Sequence, residues 1–138
     1  MTRRPRHQAR EAALRSLYLW EVGRTDPARA VDTFFEQHQP DAADEVRTFT
    51  RELVLGTAAE AAELDALIQQ HTEHWRLERL AVLDRLILRL AVWELRHASD
   101  TPPAVVLNEA LELARTFSTD DSVRFVNGVL DSIRKALA

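Results

Sequence analysis

Turn-forming residues are scarce in this chain. Three Gly and five Pro serve 138 residues, too few for the many tight reversals of a β-sandwich or barrel. Between them run stretches rich in Ala, Leu, Arg and Glu, which lose little conformational freedom in a helix. The sequence therefore predicts an all-α protein. A hydrophobic content of 46% is enough for one compact domain or two small subdomains sharing a core.

The turn residues divide the chain into six helical segments. The first is expected from about 7 to 22, with Leu14, Leu17 and Tyr18 on one face, ending near Gly23. Asp26 before Pro27 reads as an N-cap followed by a first-turn proline, opening a second helix to about His38. Pro40 and Asp41 repeat that signal before a long third segment, about 42 to 70, with Gly56 as a kink or close packing point. After a loop from His71 to Arg76, a fourth helix from about 78 to 97 is apolar over most of its circumference, as in a helix buried between two layers. Thr101-Pro102-Pro103 starts a fifth, to about Phe117. Ser118, three residues before Asp121, resembles a capping box for the sixth, to about Leu137.

Charge is distributed unevenly. The formal net charge is −4, yet the first fifteen residues carry Arg3, Arg4, Arg6, Arg10 and Arg15 against Glu11 alone, a net +4. Cations in the first turn oppose the helix macrodipole, so helix stability does not explain them. A basic arm on an acidic body is a pattern for nucleic-acid binding, because arginines that neutralise phosphates release counterions. A second basic stripe, Arg85, Arg89 and Arg96, lies within about 40° on the fourth helix. It reads either as a further contact surface or as the wet side of a buried helix. Glu94 falls inside the apolar arc of that helix and needs a buried donor or an arginine, which marks it as structural.

On the sixth helix Val126, Val129, Leu130, Ile133 and Leu137 form the core arc. Phe125 lies roughly 100° away, either packed under a neighbouring loop or offered to a partner as a platform for an unstacked base. Gly128 costs about 1 kcal/mol relative to Ala in a helix interior, so something is expected to approach it closely. That visitor is either another helix of the chain or a ligand, and Asn127 beside it fits both readings.

The common catalytic frameworks have no anchor here. There is no phosphate-binding glycine loop, GxSxG, HExxH or EF-hand pattern. The absence of Cys removes disulfides, thiolate metal sites and cysteine nucleophiles, and agrees with a reducing cytoplasm. His71 and His74 are three apart without a convincing set of further ligands. No apolar run reaches the roughly 18 residues of a membrane span, and the arginine-rich start has no apolar segment behind it. The expectation is a soluble, untargeted cytoplasmic protein that binds rather than catalyses, with no cofactor or metal.

Four blocks then stand out in order: RHQAREAALRSLYLW from Arg6 to Trp20, RLILRLAVWEL from Arg85 to Leu95, PPAVVLNEALEL from Pro102 to Leu113, and DSVRFVNGVLD from Asp121 to Asp131. Together they resemble the NusB family of bacterial transcription antitermination factors over essentially the whole chain. The last two are the most specific, since they place polar residues in helices where composition alone would not. Arg15 stands where the family pattern has Gln, Trp93 where it has Tyr, and Pro5 interrupts the basic arm.

The resemblance implies a single RNA-binding domain over 1–138, with six to seven helices in two packed three-helix bundles. Its parts would be a basic arm over 1–10 and helical subdomains over 7–70 and 77–138. It implies binding to the single-stranded boxA element of nascent ribosomal RNA together with NusE, a small-subunit ribosomal protein, within an antitermination complex on RNA polymerase. By matching position, Arg3, Arg4, Arg6 and Arg10 would meet phosphates, with Arg89 as a further candidate. Tyr18, Asp121, Ser122 and Phe125 would line the RNA or partner edge. Asp84 and the segment Glu73 to Arg76, including Trp75 and Arg76, would face NusE. A disordered arm would order on contact, and about four phosphate contacts give a salt slope near −3.

Two other classes fit parts of the sequence. One is a helical protein-interaction module whose arm binds an acidic protein surface. The other is the targeting part of an RNA-methylating enzyme, although six helices leave no residues for a glycine-rich cofactor domain. Self-association in the absence of RNA, through the same arginine and aromatic faces, is also expected.

Overall fold

A computed structural model describes residues 3–72 and 76–137, with the side chain of Arg3 outside the description. The described chain is all α apart from one 3₁₀ turn, and forms two compact units, residues 1–59 and 60–138.

The first unit contains α1 (Arg3–Glu21), α2 (Pro27–His38) and α3 (Asp44–Ala59), with α1 packed on both others. Its centre is small on one side and large on the other. Ala9, Ala12 and Ala13 of α1 are fully buried, and without bulk there α3 comes close. The buried Thr50 hydroxyl, which donates to Val46 O at 2.7 Å, therefore sits only 3.3 Å from the carbonyl of Ala9. Phe34, Phe35, Leu53 and Val54 fill the rest. The expected cap of α2 is present, the Asp26 carboxylate accepting from Arg29 N–H at 3.3 Å with Pro27 at the first helical position. Arg47 ties down the next loop, donating to the carbonyls of Gln39, Pro40 and Ala42 while its guanidinium lies 4.8 Å from the Phe35 ring centre.

Helix α1 begins at Arg3, four residues earlier than expected. Pro5 falls in its first turn, where an N–H has no intrahelical partner to lose. At the other end, Thr25 N–H reaches back to Leu19 O at 3.3 Å, and Arg24, not Gly23, takes the left-handed conformation at φ 53°. Gly23 is required for space, since a Cβ there would lie 2.7 Å from Leu19 O. Tyr18 does not share the buried face of Leu14 and Leu17, being 43% exposed.

The second unit contains α4 (Ala61–Gln70), the 3₁₀ turn Leu77–Arg79, α5 (Val82–His97), α6 (Pro103–Phe117) and α7 (Asp120–Leu137). Helix α5 packs against α4, α6 and α7 and is buried at every position from Leu86 to Glu94, as its continuous apolar pattern required. Glu94 is 1% exposed and partnered, in line with a structural role.

The segment expected to run unbroken from 42 to 70 is two helices, and the break is at Glu60 rather than at Gly56. Glu60 leaves the helical region, at φ −107° and ψ 14°, and its carboxylate is held from α5. Trp93 Nε1–H donates to Oε2 at 3.0 Å, His97 Nε2–H to Oε1 at 3.0 Å, and Arg96 lies 3.8 Å away. Helix α4 thus belongs to the second unit, so the first subdomain ends at residue 59, not 70. The cap of α7 also moves by one residue: Thr119 Oγ1 accepts Ser122 N–H at 3.1 Å, while Ser118 ends α6.

Candidate nucleic-acid interface

Within the first unit, one stripe of α1 remains uncovered. Arg4, Glu11, Arg15 and Tyr18 fall within about 60° of one another around the helix, and Arg4, Arg15 and Tyr18 are exposed. Arg15 is held over the Phe34 ring at 5.0 Å, which positions a cation next to a half-exposed phenol. Glu11 is engaged by His7 Nε2–H at 3.0 Å. Arg15 belongs to the basic N-terminal run but not to the residues that the family resemblance carries over; its spacing three residues before Tyr18 and eleven after Arg4 is the signal that singles it out.

The remaining arm residues separate. Arg6 is partly buried with its guanidinium carbon 5.0 Å from the centre of the Phe49 ring, and Arg10, only 2% exposed, lies 5.6 Å from the same ring. Such contacts are worth roughly 0.5–2 kcal/mol, more as water is excluded. Arg10 is a buried part of the α1–α3 contact, which corrects its expected place in a flexible arm that meets phosphates. The described part of that arm, from Arg3 onward, is helix.

Arg89 is corrected in the same way. Its side chain is 7% exposed and makes a two-pronged pair with Asp65 of α4, Nε to Oδ1 at 2.6 Å and Nη2 to Oδ2 at 2.7 Å. Arg96 lies 3.8 Å from both Glu60 and Glu63, and Arg85 is partnered as well. Two arginines of the α5 stripe are therefore engaged by carboxylates at α4 and its N-cap, Arg89 out of solvent and Arg96 at the exposed edge.

At the start of α7 the expected residues divide by depth. Ser122 is buried, donating to Asp84 Oδ2 at 2.9 Å, and Ser118 donates to Oδ1 of the same carboxylate at 3.1 Å. Asp84, 7% exposed, is thus turned inward and fastens the first turn of α5 to the α6–α7 corner. Asp121 is fully in solvent and pairs with Arg124. Phe125 is half-buried, and Gly128 is exposed with no atom within 4 Å of where a Cβ would stand. No helix of the described chain needs that glycine, which removes one of its two explanations. Asp121, Arg124, Phe125 and Gly128 share about 100° of α7. Arg76 is exposed and 3.7 Å from Glu78. Glu73 and Trp75, expected at a protein interface, lie outside the described residues, as does His74.

Glu60 ionises more readily than an ordinary glutamate. The hydrogen bond from His97 is the main cause holding its carboxyl below the usual glutamate range, with His97 charge, Trp93 and Arg96 adding and partial desolvation opposing. Among the described residues no three His, Asp or Glu side chains cluster as a metal site, and no helix is long and apolar enough to cross a membrane.

These features define an all-α protein that carries exposed cations beside aromatic side chains on its helix surfaces. Residues 7–135 match the NusB family model, and the chain belongs to the NusB family, whose members are transcription antitermination proteins. It is 43% identical over 132 residues to the transcription antitermination protein NusB of Solibacter usitatus, covering 96% of this chain and 90% of that one. Its identity to the protein of that name from Symbiobacterium thermophilum is 44% over 138 residues, with the same coverage. Among solved structures, NusB of T. maritima superposes with a TM-score of 0.86 at 32% identity, over 98% of this chain and 92% of that one. A crystal structure of the antitermination factors NusB and NusE in complex with dsRNA gives 0.89 at 27% identity, over 98% of this chain and 99% of that one.

Proposed function

We propose that this protein binds the boxA element of nascent ribosomal RNA as a single strand, together with NusE, and that the pair joins an antitermination complex on RNA polymerase in the cytoplasm. The observation that carries the reading is the exposed Arg4–Arg15–Tyr18 stripe in a chain of this family, cations beside an aromatic being the combination that holds an RNA backbone and an unstacked base. Arg3, Arg4, Arg6 and Arg15 supply phosphate contacts and Tyr18 a stacking surface. Asp121, Arg124 and Phe125 form the edge on α7, and the segment from Glu73 to Arg76 meets NusE. Asp84 and Ser122 shape that edge from beneath rather than touching the partner. The role is binding, not catalysis, within a single domain over 1–138. Without RNA, two copies pair through the same arginine and aromatic faces, which sedimentation with and without RNA tests.

The decisive experiment is fluorescence anisotropy of a labelled boxA-type single strand, with its duplex form as competitor, titrated with the protein alone and with NusE. The triple change Arg3→Ala, Arg4→Ala, Arg6→Ala runs in parallel. With Arg10 buried and Arg15 exposed, about four cations reach phosphates and the slope of log K against log salt is near −3, about a 50-fold loss between about 50 and 200 mM salt. Tighter binding with NusE that the triple change weakens is the expected result. A protein that ignores RNA and binds an acidic protein surface instead would be the helical interaction module of the alternative reading.

A further inference from the structure

The end of the second unit where α5 finishes, α6 starts and α7 finishes carries an open groove of about 430 Å³, lined by Leu95, Pro102, Pro103, Ala104, Arg134 and Leu137. That volume lies inside the range of clefts that hold small ligands, about 300–1,000 Å³. Five of the six lining residues are apolar and none is acidic. The two prolines make one wall stiff and free of N–H donors, and Leu137, 45% exposed, forms part of the other.

Arg134 is the exception in that lining, and its charge is unusual among its neighbours. On α6 and α7, Arg115 pairs with Glu112, Arg124 with Asp121 and Lys135 with Asp131. No carboxylate among the described residues pairs with Arg134, because Asp131, one turn before it, is taken by Lys135. A cation in the last turn complements the dipole of α7, but Lys135 already does so. What remains is an apolar slot with one uncompensated positive charge at its rim.

We propose that this groove binds a short peptide segment of a partner protein in which an apolar side chain stands next to an Asp or Glu, the apolar group entering between Pro103 and Leu137 and the carboxylate meeting Arg134. The slot lacks the aromatic surface and the row of cations that a nucleic-acid strand uses. Arg134 lies thirteen residues beyond Asp121, about 20 Å along α7, so the groove is separate from the α7 edge assigned to RNA and does not depend on that assignment. A protein occupied at both places would couple a second protein to whatever the first edge holds.

The test is an NMR titration of the ¹⁵N-labelled full chain with an acetylated hexapeptide pool carrying Leu, Ile, Val or Phe at four positions and Asp or Glu at two. A matched pool with Asn and Gln in place of the acids and a single-stranded RNA serve as comparisons. The expected result is saturable shifts confined to Leu95, Ala104, Arg134, Leu137 and their neighbours. Binding weakens about fivefold for the amide pool and for Arg134→Glu, the size an exposed ion pair supports. Arg134→Glu is expected to prefer a pool with Lys in place of the acids. Ala104→Glu, another exposed change, should repel the acidic pool and leave the fold untouched by circular dichroism. Absence of shifts at these residues, equal affinity for acidic and amide pools, or displacement of the peptide by RNA at the same residues would each overturn the proposal.

Discussion

Replacing Arg89 by Ala separates a structural role from an RNA-binding one, because the two predict opposite outcomes. The guanidinium is 7% exposed and makes two charge-assisted hydrogen bonds to Asp65, which is itself 30% exposed. Breaking a fully buried pair costs about 3–5 kcal/mol. Water can reach one side of Asp65, so part of that penalty is recovered, while the packing of the arginine stem is lost. The two effects together place the loss at about 2–3 kcal/mol, or a fall of roughly 10 °C in Tm for a chain of this size. Thermal unfolding followed by circular dichroism measures it. A cycle with Asp65→Asn should return a coupling of about 1–3 kcal/mol. RNA affinity measured well below the transition, with and without NusE, should stay within about twofold of the parent, since the guanidinium faces α4 and not solvent. A variant that keeps its Tm but binds RNA tenfold more weakly would falsify the assignment of Arg89 to the α4–α5 contact.

Three further outcomes follow from the same geometry. Gly128→Ala should stabilise the protein by about 1 kcal/mol in urea unfolding, because the new methyl enters open space on a helix. The same change should weaken binding of the RNA–NusE pair several-fold, and a more stable variant that binds as tightly as the parent would remove any docking role for that position. Arg24→Gly should add about 0.5–1 kcal/mol by relieving a left-handed residue at φ 53°, whereas Gly23→Ala should destabilise through its clash with Leu19 O. Because the Glu60 carboxyl is held below its unfolded value, its contribution is present above the unfolded glutamate pKa, about 4.3, and is lost as pH falls through the folded pKa. In His97→Gln the Glu60 titration, followed by carboxyl ¹³C shifts, should move back up toward the ordinary value; an unchanged titration would show that His97 is not the main cause.

The all-α class, five of the seven helices and the burial of α5 were legible in the sequence, because they depend on short-range signals. Periodic apolar residues, Asp26 before Pro27 and the scarcity of turn residues act within a few positions of themselves. The family blocks were legible for a related reason: polar residues such as those around Asn108 and Asn127 stand out against a helical background. What the sequence could not disclose was which charges the fold itself would use. Arg10, Arg89 and Asp84 look like surface groups in one dimension, and each finds its partner on another helix, at Phe49, Asp65 and Ser122.

The break between α3 and α4 has the same origin. Nothing local stops a helix at Glu60, whereas Gly56 carries the intrinsic penalty and is nonetheless helical. The carboxylate of Glu60 is claimed by Trp93, Arg96 and His97, more than thirty residues later. Most of the elements and the kind of protein were thus legible in the residues alone, since backbone propensity and apolar period are local properties, whereas the α3–α4 break was not. Only the tertiary structure decided which arginines are consumed in holding helices together and which remain for a partner, because a charge is spent or spare according to its three-dimensional neighbours.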